Sequence, residues 1–191
     1  QIDQSIICFK RAITIQPNLS SAYSNLGLIY ANHLKIFNKS ISYLNTAIEK
    51  DSSNTKALYN LGCTYNQLGE KEKGIYYFKK AIKIKSDYYK AAYNLSLNQL
   101  STDDYKNGWQ GYESRKNILE INEELLNIPK TKIWNGNQFN SMLVVHAEQG
   151  IGDEILISSL YNDLHNRQKK LCISCDNRLI KIFERSFPGI Q

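Results

Sequence analysis

The sequence predicts a mainly α chain: a helical-repeat solenoid running into the first β-α-β-α unit of a Rossmann-like α/β layer. Three observations predict it. Ala22-Tyr23-Ser24-Asn25-Leu26-Gly27 returns 35 residues later as Ala57-Leu58-Tyr59-Asn60-Leu61-Gly62. Ala12, Ala47 and Ala81 recur at steps of 35 and 34, and Tyr30 and Tyr65 stand 35 apart. After residue 141 the apolar period changes from helical to extended.

Residues 5–16 predict the packing helix of a truncated repeat, with Ile6, Phe9, Ala12 and Ile13 on one face and Pro17 as its stop. Helices follow over 20–33 and 38–50, then over 55–68 and 71–85. The turn Leu34-Lys35-Ile36-Phe37-Asn38 is one residue longer than the turn around Gly69, which explains the 35-residue step. Gly27, Gly62, Ala47 and Ala81 fall where helices must approach closely. Glycine costs a helix about 1 kcal/mol against alanine, so its return in phase points to packing. Tyr30, Tyr65, Leu44 and Phe78 are expected between the layers. Residues 89–100 open a third repeat with Ser96 in place of glycine, and 105–115 form its degenerate second helix. Trp109 and Tyr112 there share a face and read as an aromatic cap or a joint. With its Leu-Gly, Tyr and Ala pattern, this 34–35-residue period resembles the tetratricopeptide repeat.

Residues 1–116 are thus assigned to repeats: a partial one over 1–19, full ones over 20–54 and 55–88, and a degenerate one over 89–116. A capping helix and linker fill 117–140, with a helix ending before Pro129 and an irregular stretch around Trp134. Met142-Leu143-Val144-Val145-His146 suits a buried parallel strand. Residues 148–153 read as a glycine-containing turn, and 153–165 as a helix with Ile155, Leu156, Ser159, Leu160 and Leu164 inward. Residues 170–175 form a second strand and 178–186 a second helix. The chain opens on the back half of a repeat and ends in mid-pattern, so it reads as a piece of a longer protein.

The formal net charge of +6 is uneven: residues 1–100 carry 13 Lys and Arg against 6 Asp and Glu. Without an arginine cluster the lysines read as solvated helix faces, and no nucleic-acid partner is expected. Cys8 and Cys63 lie in helical patterns as small apolar residues. Cys172 and Cys175 lie three apart in a strand, pointing to opposite faces, and no metal site is expected. The sequence shows no signal peptide and no apolar run of membrane-spanning length, so a cytoplasmic location is the expectation. The oligomeric state is open.

Two places look able to bind. In the repeats, Asn25, Asn60 and Asn94 recur at 35 and 34 residues and predict a stacked ladder. Amides both donate and accept, so such a row can hold the backbone of an extended chain, or simply bond neighbouring helices. Lys56, Tyr59, Lys90 and Tyr93 would make that groove basic and aromatic. The second place is the turn with Gly150 and Gly152, at the carboxyl end of the first strand, where helix N-termini favour ligands. Asp153 there has two readings, a helix cap or a proton acceptor. His146, at the strand end, is either a packed histidine or an acid–base group.

Gly108-Trp109 with Tyr112-Glu113 and Arg115, Trp134 with Gly136, and Glu148-Gln149-Gly150-Ile151-Gly152-Asp153 together resemble bacterial proteins in which tetratricopeptide repeats run into a glycosyltransferase of two Rossmann-like domains (the GT-B type). The overall plan is similar to O-linked N-acetylglucosamine transferases, and the Gly-Asp turn to heptosyltransferases. The resemblance implies that 141–191 begins the transferase domain and that Asp153 is the base beside Gly152. It also implies that the asparagines bind peptide acceptors, and that a nucleotide-sugar donor, without metal, binds beyond Gln191. By this reading the piece holds no cofactor and is inactive alone. The competing reading is a non-enzymatic repeat scaffold for protein–protein interaction.

Overall fold

The structure, a computed structural model, describes residues 2–118, 134, 137, 140–146, 151–168 and 170–190. The expected linker helix, Pro129 and the start of the glycine turn, including Gly150, lie outside these residues. The chain divides into two compact units, Gln1–Asn122 and Glu123–Gln191.

The first unit is a stack of paired helices: α1 Ile2–Ile15, α2 Ser20–Asn32, α3 Phe37–Lys50, α4 Thr55–Gln67, α5 Lys71–Ile84, α6 Tyr89–Ser101 and α7 Tyr105–Tyr112, the last followed by a 3-10 turn, Glu113–Asn117. Each helix packs on the next, and α2 also packs on α4. The glycines make this possible. A Cβ on Gly27 would sit 2.5 Å from Leu44 Cγ, and one on Gly62 would sit 2.7 Å from Phe78 Cε1. Leu44, Ala47, Ala57 and Leu61 form one fully buried layer, and Leu58, Phe78, Ala81 and Ala91 the next. Each layer is therefore closed by the first helix of the following repeat, as a solenoid requires.

Rings repeat in phase with the helices. Tyr30 stacks on Tyr43 at 5.3 Å under Lys39, and Tyr65 on Tyr77 at 5.5 Å under Lys73. In the third repeat Tyr112 takes over, packed on Tyr93 and beneath the Arg115 guanidinium. Tyr112 is half-buried there, whereas Trp109, edge-on to the Tyr112 ring at 5.6 Å, is 61% exposed. The turns share a device that periodicity does not reveal. Lys35, Gly69 and Asp103 each hold the left-handed conformation, with φ of +55°, +80° and +63°. Glycine adopts it freely, while for lysine it is strained. The extra residue of the first turn falls between the end of α2 and Lys35.

The second unit corrects the expected Rossmann-like start. Among the described residues it has β1 Leu143–His146, α8 Ile151–Ser158, α9 Tyr161–Arg167, β2 Leu171–Ser174 and α10 Ile180–Ser186. The strands pair in parallel, Leu143 opposite Leu171 and His146 opposite Ser174, as a small unclosed sheet. Val145 and Ile173 face a core of Tyr161, Leu179 and Phe183, while Val144 on the other face is 57% exposed. A doubly covered layer would bury both faces. The predicted inward face of 153–165 holds at Leu164, which packs on that core, and fails elsewhere. The helix breaks at Ser159–Leu160, Ile155, Leu156 and Leu160 are exposed, and Glu154 is the buried side chain, accepting the Asp176 N–H at 2.9 Å.

Candidate functional site

In α2, α4 and α6 the positions i, i+4, i+7 and i+11 lie on one helix face. They read Ser21, Asn25, Leu28, Asn32 in α2, then Lys56, Asn60, Cys63, Gln67 in α4, then Lys90, Asn94, Leu97, Ser101 in α6. All of these side chains are exposed or half-buried. Bonds between helices join the three stripes into one face: Gln67 Nε2 donates to Asn32 Oδ1 at 3.3 Å, and Asn94 Nδ2 lies 3.6 Å from Cys63 Sγ. The asparagine positions are legible in the sequence. The row Leu28, Cys63 and Leu97 is not, because an apolar residue in an amphipathic helix reads as interior. Leu28 and Leu97 are in fact 37% and 40% exposed.

The three asparagines do not form an even ladder. Asn25 is exposed and Asn60 half-buried, and among the described residues neither makes a side-chain hydrogen bond. Asn94 turns inward, donating to Tyr59 Oη at 3.1 Å. Burial pushes the Tyr59 phenol and the Cys63 thiol upward, so both stay neutral at ordinary pH. Tyr59 is further packed between Phe78 and Tyr88, and Tyr93 against Tyr112, so these two rings support the face rather than project from it. Lys56 and Lys90 are exposed at the second position of their helices.

A second amide pair underlies the stack. Asn66 and Asn98 exchange hydrogen bonds at 2.9 and 2.7 Å, and Asn98 Nδ2 also reaches Lys71 O at 3.4 Å. Gly74 leaves room for them, since a Cβ there would meet Asn66 Oδ1 at 2.1 Å. Amides can therefore be structural or available in this unit, and only their surroundings tell which.

Residues 55–88 match the model of the tetratricopeptide repeat. Protein FlbA of Caulobacter vibrioides is 30% identical over 88 residues, which is 44% of this chain and 15% of FlbA. A crystal structure of MamA is similar with a TM-score of 0.54 at 26% identity, covering 61% of this chain and 68% of that one. MamA 41-end from Desulfovibrio magneticus RS-1 has a TM-score of 0.50 at 19% identity, over 64% and 67% of the two chains, a likeness of fold alone. Among the described residues no helix is long and apolar enough to cross a membrane.

These likenesses overturn the transferase reading. They are to a helical-repeat fold, and the sheet after Asn122 is small and open on one face, with no GT-B unit among the described residues. The glycosyltransferase resemblance and its donor are withdrawn, and the scaffold alternative fits better. Asp153 and His146 are then described by their surroundings. Asp153 and Gly152 lie exposed in the first turn of α8 rather than in a loop before it, and nothing stands within 4 Å of a Cβ built on Gly152. His146 is exposed at the end of β1, with Nδ1 3.1 Å from Ser174 Oγ across the strand pair.

Proposed function

We propose that the helical unit is a scaffold that binds an extended segment of a protein or peptide across the face formed by α2, α4 and α6. The observation that carries this reading is the pair Asn25 and Asn60, two amides in phase on adjoining helices with no internal partner among the described residues. A solvent-facing amide can bond a passing backbone through both its donor and its acceptor, and so holds a chain without reading its side chains. Leu28 and Leu97 on the same face supply apolar contact. Lys56, Asn94, Lys90 and the rings of Tyr59 and Tyr93 complete it, the last two as supports. A peptide library selected on the whole chain tests this reading. Asn25→Ala with Asn60→Ala is expected to weaken the selected peptides about tenfold, equivalent to ~1.4 kcal/mol, with the helical circular dichroism unchanged. Peptides that bind the double variant as tightly as the parent would sink it.

A further inference from the structure

We propose that the second unit carries a binding site for a small arylalkyl amine, whose ring enters an apolar cavity between β2, α10 and the turn after α10 while its ammonium group meets Glu184. The cavity measures about 210 Å³, and no residue of the peptide face lines it.

Three pieces of chain form its walls. Ile173 and Cys175 come from the end of β2, Ile180 and Phe183 from α10, and Phe187 and Ile190 from the turn. The sequence of that turn builds it. Pro188 and Gly189 are its central residues, with Gly189 at φ +98°, and the Ile190 N–H donates to Phe187 O at 3.2 Å. Proline followed by a glycine of positive φ is the pattern of a type II turn, and it folds Ile190 back beside the rings. The rings themselves are held in place. Tyr161, Phe183 and Phe187 meet one another edge to face, with centroids 5.6, 5.4 and 5.8 Å apart.

Protein interiors hold few voids larger than a water molecule, so a hollow of this size is more than loose packing. A buried water needs several polar partners, and the polar side chains of this lining are the Cys175 thiol and the Glu184 carboxylate. An apolar body suits it better. A cavity of about 150 Å³ lined by apolar side chains already accepts a benzene ring, and the larger volume leaves room for a short carbon chain. Burial, with Glu154 and Asp176 nearby, pushes the Cys175 thiol upward, so that wall stays uncharged.

Charge enters at the rim. Glu184 is exposed there and among the described residues makes no hydrogen bond or ion pair. The buried Glu154 adds to the same negative field, whereas Asp176 is paired with Arg178. Lys181 and Arg185, on the same helix as Glu184, do not line the cavity. A cation is also attracted to the faces of aromatic rings such as Phe183 and Phe187. A ligand carboxylate would meet Glu184 as a like charge. An aromatic ring, a short chain and one ammonium group therefore match the site in order from floor to rim.

The test uses the whole chain, labelled with nitrogen-15, and follows its amide resonances during titration with 2-phenylethylammonium, 2-phenylethanol or 3-phenylpropionate. The amine is expected to shift amides of residues 173–175 and 180–190 and to bind about tenfold more tightly than the alcohol, with the carboxylate weakest. Glu184→Gln should remove the advantage of the amine and leave binding of the alcohol unchanged. Glu72→Gln, on α5, makes the same change in net charge and should leave that advantage intact. Ile180→Trp should fill the cavity and block all three probes. If it disturbs the spectrum of the second unit, Ile190→Trp takes its place. Equal binding of amine and alcohol, or equal loss in the two glutamate variants, would overturn the proposal. So would an absence of shifts around the cavity, or shifts that persist when it is filled.

Discussion

The amide of Asn94 donates to the Tyr59 hydroxyl at 3.1 Å, whereas Asn60, its counterpart one repeat earlier, makes no side-chain hydrogen bond among the described residues. One sequence position thus has two environments. Asn94→Ala removes a bond between α6 and α4 and should cost about 1 kcal/mol, visible as a lower Tm. Asn60→Ala should stay within ~0.5 kcal/mol of the parent. Equal Tm values for the two variants would show that the Asn94 bond contributes nothing to the stack.

Gly27 and Gly62 separate packing from propensity. Alanine gains about 1 kcal/mol over glycine in a helix, yet its Cβ would overlap Leu44 or Phe78, both fully buried. Overpacking of this kind costs about 1–3 kcal/mol, so Gly27→Ala and Gly62→Ala should both lower Tm. Gly152 in α8 has open space around it, and Gly152→Ala should raise the stability of its own unit. Chemical denaturation of all three variants checks the contrast. A stabilised Gly62→Ala would mean that Phe78 yields without cost.

The repeat was legible because close approach leaves a mark in sequence. Gly27 with Leu44 and Gly62 with Phe78 recur in phase, and a period of small and large residues is what a linear reading detects. Bonds between polar residues far apart in sequence leave no such mark. Asn66 with Asn98 and Asn54 with Ser20 could not be found from periodicity, and neither could the left-handed backbone at Lys35. The face of α2, α4 and α6 was half visible. Its asparagines recur visibly in the sequence, but Leu28 and Leu97 look like core residues until their exposure is seen. In the second unit Ile155, Leu156 and Leu160 gave the appearance of an inward face. The branched strands gave the appearance of a layered domain, and the exposed Val144 shows why neither held.

Ser20 and Asn54 tie two repeats together at their helix starts. Ser20 Oγ donates to Ala47 O at 2.7 Å and accepts from Asn54 Nδ2 at 2.7 Å, while Asn54 Oδ1 accepts the Ala57 N–H and caps α4. Asn54→Ala loses the cap, worth about 0.5–2 kcal/mol, and also a bond to a buried hydroxyl. Asn54→Asp keeps the cap but cannot donate to Ser20, so it should fall between parent and alanine in urea unfolding. An Asp variant as stable as the parent would limit the role of Asn54 to capping.

Lys35 holds a backbone conformation that costs a residue with a side chain about 1–2 kcal/mol. Its counterpart Gly69 avoids that cost. Lys35 Nζ lies 3.4 Å from Gln67 Oε1 in an exposed pair, which offsets little. Lys35→Gly should therefore raise Tm, and Gly69→Lys should lower it. A fall in Tm on Lys35→Gly would mean that the Gln67 contact or the entropy of glycine outweighs the relief.

Acid should act on the two units through different carboxylates. Hydrogen bonds from Asn107 and Gln99 hold Asp104, which caps α7, below its usual value, although desolvation works the other way. Hydrogen bonds from the Arg178 side chain and backbone take Asp176 down to about 2. In both cases the folded value lies below the unfolded one of ~3.9. The stabilisation is thus complete above pH ~4 and drains away as pH falls through the folded value. For Asp176 that window runs from about pH 4 to about 2. Asp176→Asn should flatten the acid limb of the second unit. Asp104→Asn should do the same for the first, since the substituted side chain can still cap α7 as a neutral amide. Thermal unfolding followed by near- and far-ultraviolet circular dichroism between those limits reads both. An acid limb unchanged by either substitution would assign the loss of stability to other carboxylates.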